Sequence, residues 1–257
     1  MIKLEVLKVP ASHGWLWIKH GYRLIMRSPL QALLLAMIFA LGLFVAMLIP
    51  HVGALLMLLI MPVLMAGYMR VCRALEYNEA VQPRYIIAGF EIRTASLVSL
   101  GGMLLLGMMI ISIVITAFGG TELSSIISSY QAQQDTTALI DSLFGPDSGL
   151  RLILLAGFAL FFLLMLAMQF APMLVFFNSM APRQALKVSL MASIRNIVPF
   201  SVYSLLMQLI AFALSVIPMG LGWIILLPLG LTSMYVAYRD IFSETEIADE
   251  SKVGSGE

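Results

Sequence analysis

The 257 residues are 61% hydrophobic and only 11% charged, with a formal net charge of +1 and a mean hydropathy of +0.98. Soluble domains average about 45–50% apolar and about 25% charged residues, so this composition excludes a water-soluble globular domain and points to a polytopic membrane protein. The single cysteine, Cys72, excludes an internal disulfide and a thiolate metal cluster.

Six apolar runs can cross a hydrocarbon core of roughly 30 Å, which takes about 20 helical residues. They lie near Leu30–Ile49, Gly53–Val71, Ala95–Phe118, Leu152–Phe177, Val198–Ile217 and Gly220–Tyr238. The expected fold is all-α, with six transmembrane helices as tandem hairpins in one membrane domain, residues 1–242. An even number of spans puts both termini on one side. That side holds every Lys and Arg of the 15 except Arg151. The positive-inside rule makes it cytoplasmic, in a bacterial inner membrane. The first apolar run is too long for a signal-peptide core, so no cleavage is expected and the first span remains as an anchor.

In chain order, Met1–Pro10 is a mildly basic lead. From His13 to Ser28 the pattern is amphipathic: Lys19, Arg23 and Arg27 share one face, and Trp17, Ile18, Tyr22, Leu24 and Ile25 fill the rest. Aromatics beside cations suit a helix in the headgroup layer, where each cation near an anionic leaflet gains about 1 kcal/mol. Trp17, Lys19, Arg23 and Arg27 are therefore candidate headgroup contacts. The first span carries Ala32, Ala36 and Ala40 on one smooth face suited to helix packing. Pro50-His51-Val52-Gly53 turns the chain on the outer side. The second span holds Pro62 and closes with Arg70 and Arg73.

A second interfacial segment, Pro83–Arg93, leads into the third span, which is thinned by Gly101, Gly102 and Gly107. The outer segment 119–149 has acids at Glu122, Asp135, Asp141 and Asp147, an irregular helical pattern and a break at Gly145-Pro146. It reads as a lid, a docking element or a connector resting on the outer surface. In the fourth span, Pro172 predicts a kink, and Gln169 is expected to hydrogen-bond Gln208 of the fifth. Pro182–Arg195 repeats the basic amphipathic theme and adds Arg183, Lys187 and Arg195 to the headgroup candidates. Residues 243–257 are polar and acidic, with too little apolar surface to fold, and read as a disordered cytoplasmic tail.

One hairpin is written twice. Arg27 stands 23 residues before Pro50 and Arg195 stands 23 before Pro218; Pro62 and Pro228 each stand 11 residues before a closing arginine, Arg73 and Arg239. Arg93 also precedes an outward span. Three repeats of interfacial helix plus hairpin are therefore expected, over about 14–75, 83–178 and 182–242.

Catalytic patterns are not found. No span has Asp, Glu, Lys, Arg or His in its middle, and the sequence contains neither G-x-S-x-G nor H-E-x-x-H. The three histidines, His13, His20 and His51, are too scattered for a metal site. No catalytic residue, cofactor or metal is assigned, and the expectation is a non-enzymatic protein. The basic clusters abut spans, so membrane lipids are the expected partners, with another membrane protein or a second copy also open and nucleic acid excluded. The rival reading is a carrier or flippase-like protein for an apolar or lipid substrate. It rests on Pro62, Pro172 and Pro228, because interrupted helices in matching positions mark binding sites in many transporters. Packing kinks are the simpler use of the same prolines.

Three short motifs carry a resemblance: V-P-A-x-x-G-W-x-W (Val9, Pro10, Ala11, Gly14, Trp15, Trp17), F-A-P (Phe170 to Pro172) and Y-R-D-I-F (Tyr238 to Phe242). They resemble a group of uncharacterised six-span proteobacterial inner-membrane proteins. More distantly, the layout is similar to the membrane domain attached to some glycerophosphodiester phosphodiesterases, although the phosphodiesterase domain itself has no counterpart here. The resemblance implies fold and location and carries no catalytic residues.

Overall fold

A computed structural model describes residues 2–133, 135–144, 150–216 and 222–246. Among them, six helices are long and apolar enough to cross a membrane: α2 (Pro29–Met47), α3 (Gly53–Glu76), α5 (Thr94–Gln133), α7 (Leu150–Asn178), α9 (Ile197–Ser215) and α10 (Gly222–Ile241). The fold is that of an all-α polytopic membrane protein. Three shorter elements, those expected at the interface, precede α2, α5 and α9: α1 (His13–Arg27), a 3-10 turn (Pro83–Ile87) leading into α4 (Ala88–Glu91), and α8 (Pro182–Arg195). Pro29 and Pro182 open α2 and α8, where the missing N–H costs nothing and the fixed φ already suits a helix.

The three return helices, α3, α7 and α10, share one pattern. Their outer halves expose large apolar side chains such as Leu55, Phe158 and Trp223, whereas their inner halves are buried on nearly every side. In α3 the buried run spans residues 62–69, in α7 it spans 170–176, and in α10 it gathers from Pro228 onward. Pro62, Pro172 and Pro228 are themselves buried, and each helix continues through its proline. A proline frees the carbonyl four residues back. At Pro62 that carbonyl belongs to Leu58, and α5 presents Gly101 against it: a Cβ on Gly101 would lie 2.8 Å from the Leu58 oxygen. At Pro172 the helix is opened by a hydroxyl. Ser189 of α8 accepts from the Phe170 N–H at 3.0 Å and donates to the Leu166 carbonyl at 3.1 Å, bridging the two ends of one helical rung. Ser193 adds a second bond to the Leu166 carbonyl.

The interfacial elements cover these inner halves in a cyclic order. The turn and α4 pack on α3, α8 packs on α7, and α1 packs on α10 and α9. Each therefore lies against the return helix of the hairpin before it, and α1 closes the circle on the last. Reciprocal glycines set the first contact: a Cβ on Gly67 would stand 1.9 Å from the Ile86 carbonyl oxygen, and one on Gly89 would stand 2.1 Å from that of Val63. Gly21 of α1 meets the Ser233 backbone of α10 in the same manner. On α8, Ala185, Ser189, Ala192 and Ser193 form the small buried face.

The smooth face of α2 packs as expected, with Ala32 and Ala36 buried and the Tyr68 hydroxyl donating to the Ala32 carbonyl at 3.2 Å. Among the glycines of α5, Gly101 meets α3 and Gly107 meets Leu164 of α7, but Gly102 faces open space. Gln208 is exposed and Gln169 half-buried, with no hydrogen bond between them among the described residues, so that pairing is corrected. The outer segment is more regular than a loop: α5 runs on to Gln133 and is followed by α6 (Thr136–Phe144). The expected tail also changes at its start. Strand β1 (Ile2–Val6) pairs antiparallel with β2 (Phe242–Glu246), in the register Val6 opposite Phe242, so residues 243–246 are extended and paired. Gly145-Pro146, Asp147, Pro218 and the tail from 247 lie outside the described residues.

Candidate functional site

The three return helices end beside one another, and the arginine that opens each hairpin is bonded at or beside that end: directly at α3, just past α7, and through strand β1 at α10. The Arg27 Nη1 donates to the Leu75 and Glu76 carbonyls at 2.8 and 2.6 Å, at the end of α3. That end is shaped by Asn78, left-handed at φ 54°, with the Glu79 N–H returning to the Ala74 carbonyl at 2.9 Å. Arg93 donates to the Ser179 hydroxyl, just past α7. Arg195 donates to the Val6 carbonyl at 2.9 Å, and Val6 pairs with Phe242, just past α10. A guanidinium suits this position because it supplies several donors to carbonyls left open at a helix C-terminus, where a positive charge also opposes the dipole.

The N-terminal lead is stitched into the same layer. Asn196, between α8 and α9, accepts from the Val9 N–H and donates to the Leu7 carbonyl, both at 2.9 Å. Asp240 near the end of α10 accepts from the Trp17 indole and contacts His13 Nδ1, both at 2.7 Å. Trp17 packs at a tilt against Phe200, with ring centroids 4.9 Å apart; Phe200 lies 5.6 Å from Phe170, which in turn meets Phe242 at 5.4 Å. The three short motifs of the sequence therefore meet in space around one aromatic cluster.

This corrects part of the candidate headgroup surface. Trp17 is only 1% exposed and belongs to the core, because the apolar face of α1 meets α9 and α10 rather than lipid. Arg27 and Arg195 are exposed but tied to backbone carbonyls. Lys19, Arg23, Arg183 and Lys187 are exposed, with no hydrogen bond or ion pair among the described residues. Pro62, Pro172 and Pro228 sit where lipid-exposed helix becomes buried helix, inside close packing.

Beside the cluster, a cleft of about 340 Å³ opens between α1 and α10, over the end of α3. His20, Arg23 and Arg27 of α1 line one wall, while Glu76, Tyr235 and Arg239 line the other. Glu76 is already engaged: the Tyr235 hydroxyl donates to its Oε2 at 2.5 Å and Arg239 Nε stands 3.5 Å away. A second cavity of about 310 Å³ adjoins it, sharing His20, Glu76 and Arg239 and reaching His13 and Asp240. Sequence reading missed Asp240, Glu76, Tyr235 and Ser189. Acids at the ends of spans were the available signal for the first two; the burial of Ser189 left none.

No family model matches the chain, and no solved structure matches it. It is similar over nearly its whole length to a protein of Burkholderia thailandensis named as a probable inner membrane protein. The two are 27% identical over 267 residues, covering 95% of this chain and 96% of the relative. This is a multi-pass inner-membrane protein.

Proposed function

We propose that this inner-membrane protein is non-enzymatic and binds anionic lipid at the cytoplasmic leaflet through its basic inner face, with both termini in the cytoplasm. The observation that carries the reading is the set of exposed cations without partners among the described residues, Lys19, Arg23, Arg183 and Lys187, on helices beside the inner ends of the spans. Headgroup phosphates are the nearest anions to such a surface. We further read the chain as three repeats of interfacial element plus hairpin. The cyclic packing, and the arginine of each hairpin bonding at or beside the end of its return helix, support that reading. Native mass spectrometry of the protein released from bilayers containing phosphatidylglycerol tests it. Wild type is expected to retain anionic lipid, and the Lys19→Gln/Arg183→Gln/Lys187→Gln variant is expected to retain less. Equal retention would remove the surface from the account.

A further inference from the structure

The cleft between α1 and α10 has a composition that general surface binding does not require. His20, Arg23 and Arg27 fall three and four residues apart, so they form one stripe on α1. The opposite wall adds Arg239 and the lone acid, Glu76. Three guanidiniums against one carboxylate leave a net charge of +2, with His20 counted as neutral.

The positions are fixed before any ligand arrives. Arg27 is anchored by Nη1 at the end of α3, which leaves its Nε and Nη2 donors for the cleft. Arg239 and Tyr235 hold the Glu76 carboxylate between them, which keeps the acid on its own wall. Arg23 and His20 have no hydrogen bond or ion pair among the described residues.

Depth points the same way. A core of roughly 30 Å takes about 20 residues at about 1.5 Å each. Counted from Gly53, Glu76 lies about one turn beyond that core, in the headgroup layer.

We propose that this cleft is a specific site for a phosphate monoester, the headgroup of a lipid such as phosphatidic acid being the source that its depth favours. A phosphate monoester carries about −1.5 to −2 at pH 7, which balances the +2 wall, whereas a phosphodiester carries only one negative charge. Guanidinium pairs bind phosphate oxygens in a bidentate manner. The cavity of about 340 Å³ leaves room for the glycerol next to the phosphate. This deepens the anionic-lipid reading and rests on it for the cytoplasmic placement.

The test uses the full chain purified in a neutral detergent, titrated with short-chain phosphatidic acid, short-chain phosphatidylglycerol and inorganic phosphate, with thermal shift as the readout. Phosphatidic acid is expected to bind at least about tenfold more tightly than phosphatidylglycerol. Arg23→Gln is expected to weaken it by about tenfold or more, as befits loss of a charged hydrogen bond, and Arg84→Gln is expected to leave it unchanged. Arg23 makes no contact on which the fold depends, so its variant should remain folded, and His20→Gln provides a second probe. Phosphate binding as tight as phosphatidic acid would keep the site and make its ligand soluble. Equal affinity for both lipids, or binding that survives Arg23→Gln, would overturn the cleft. The surface reading would then stand or fall separately, on lipid retention by the Lys19→Gln/Arg183→Gln/Lys187→Gln variant.

Discussion

The outer and inner halves of the return helices are built on different principles. The outer halves present Leu55, Phe158 and Trp223 outward, where lipid chains are the natural solvent and exact side-chain shape matters little. The inner halves are packed as tightly as a soluble core: Val63, Ala66, Phe170, Met173 and Thr232 are fully buried. Lipid tails are as apolar as leucine, so no hydrophobic drive pulls helices together within the bilayer. Cohesion therefore comes from close backbone approach and hydrogen bonds, and the hydrogen bonds between elements concentrate in the packed halves and at their ends. The lipid-facing halves of these helices serve as a mount for the tightly packed halves.

Substitutions can break that contrast, starting with the largest effect. Gly67→Val places side-chain atoms where the Ile86 carbonyl already stands, so it should cost about 3 kcal/mol or more and abolish the folded peak in size-exclusion chromatography. Gly102→Ala, which meets nothing within 4 Å, should leave that peak in place. Asp240→Ala strands the buried Trp17 indole and releases His13; a loss of about 2–3 kcal/mol is expected, read as a lowered thermal midpoint. Ser189→Ala removes the hydroxyl that bridges Leu166 and Phe170, with an expected cost of about 1–2 kcal/mol by the same measurement. Gln208→Leu, on the exposed side of α9, should shift stability by less than about 0.5 kcal/mol. A large effect at Gln208 together with a small one at Gly67 would invert the comparison.

Hydropathy carried the six spans, because a span is a local property of about 20 consecutive residues. The inner core was legible only in outline. The amphipathic pattern of α1 tells which face is apolar, but that face could meet lipid or protein, and only the fold shows that Trp17 faces α9 and α10. Asp240 looked like an ordinary charge at a span end, because its partner Trp17 lies 223 residues away. Gln169 and Gln208 were matched by depth, but depth does not determine the direction in which each helix turns its polar residue. The acids after Phe118 and the irregular apolar pattern suggested a lid, docking element or connector, yet α5 continues as helix, with Ser128 and Ser129 hydroxyls folded back onto the Ser125 carbonyl. The arginines were visible as a spacing; their shared task at the ends of return helices was not.

The central claim is that the cationic, tightly packed half faces the cytoplasm. It is tested most directly by labelling with a membrane-impermeant maleimide in intact spheroplasts. The background is Cys72→Ala, with single cysteines introduced as Lys19→Cys, Arg183→Cys or His51→Cys. The account predicts that the cysteine at 51 labels in intact cells, while those at 19 and 183 label only after permeabilisation. Labelling at 19 and 183 in intact cells, with 51 protected, would place the basic face outside and contradict it.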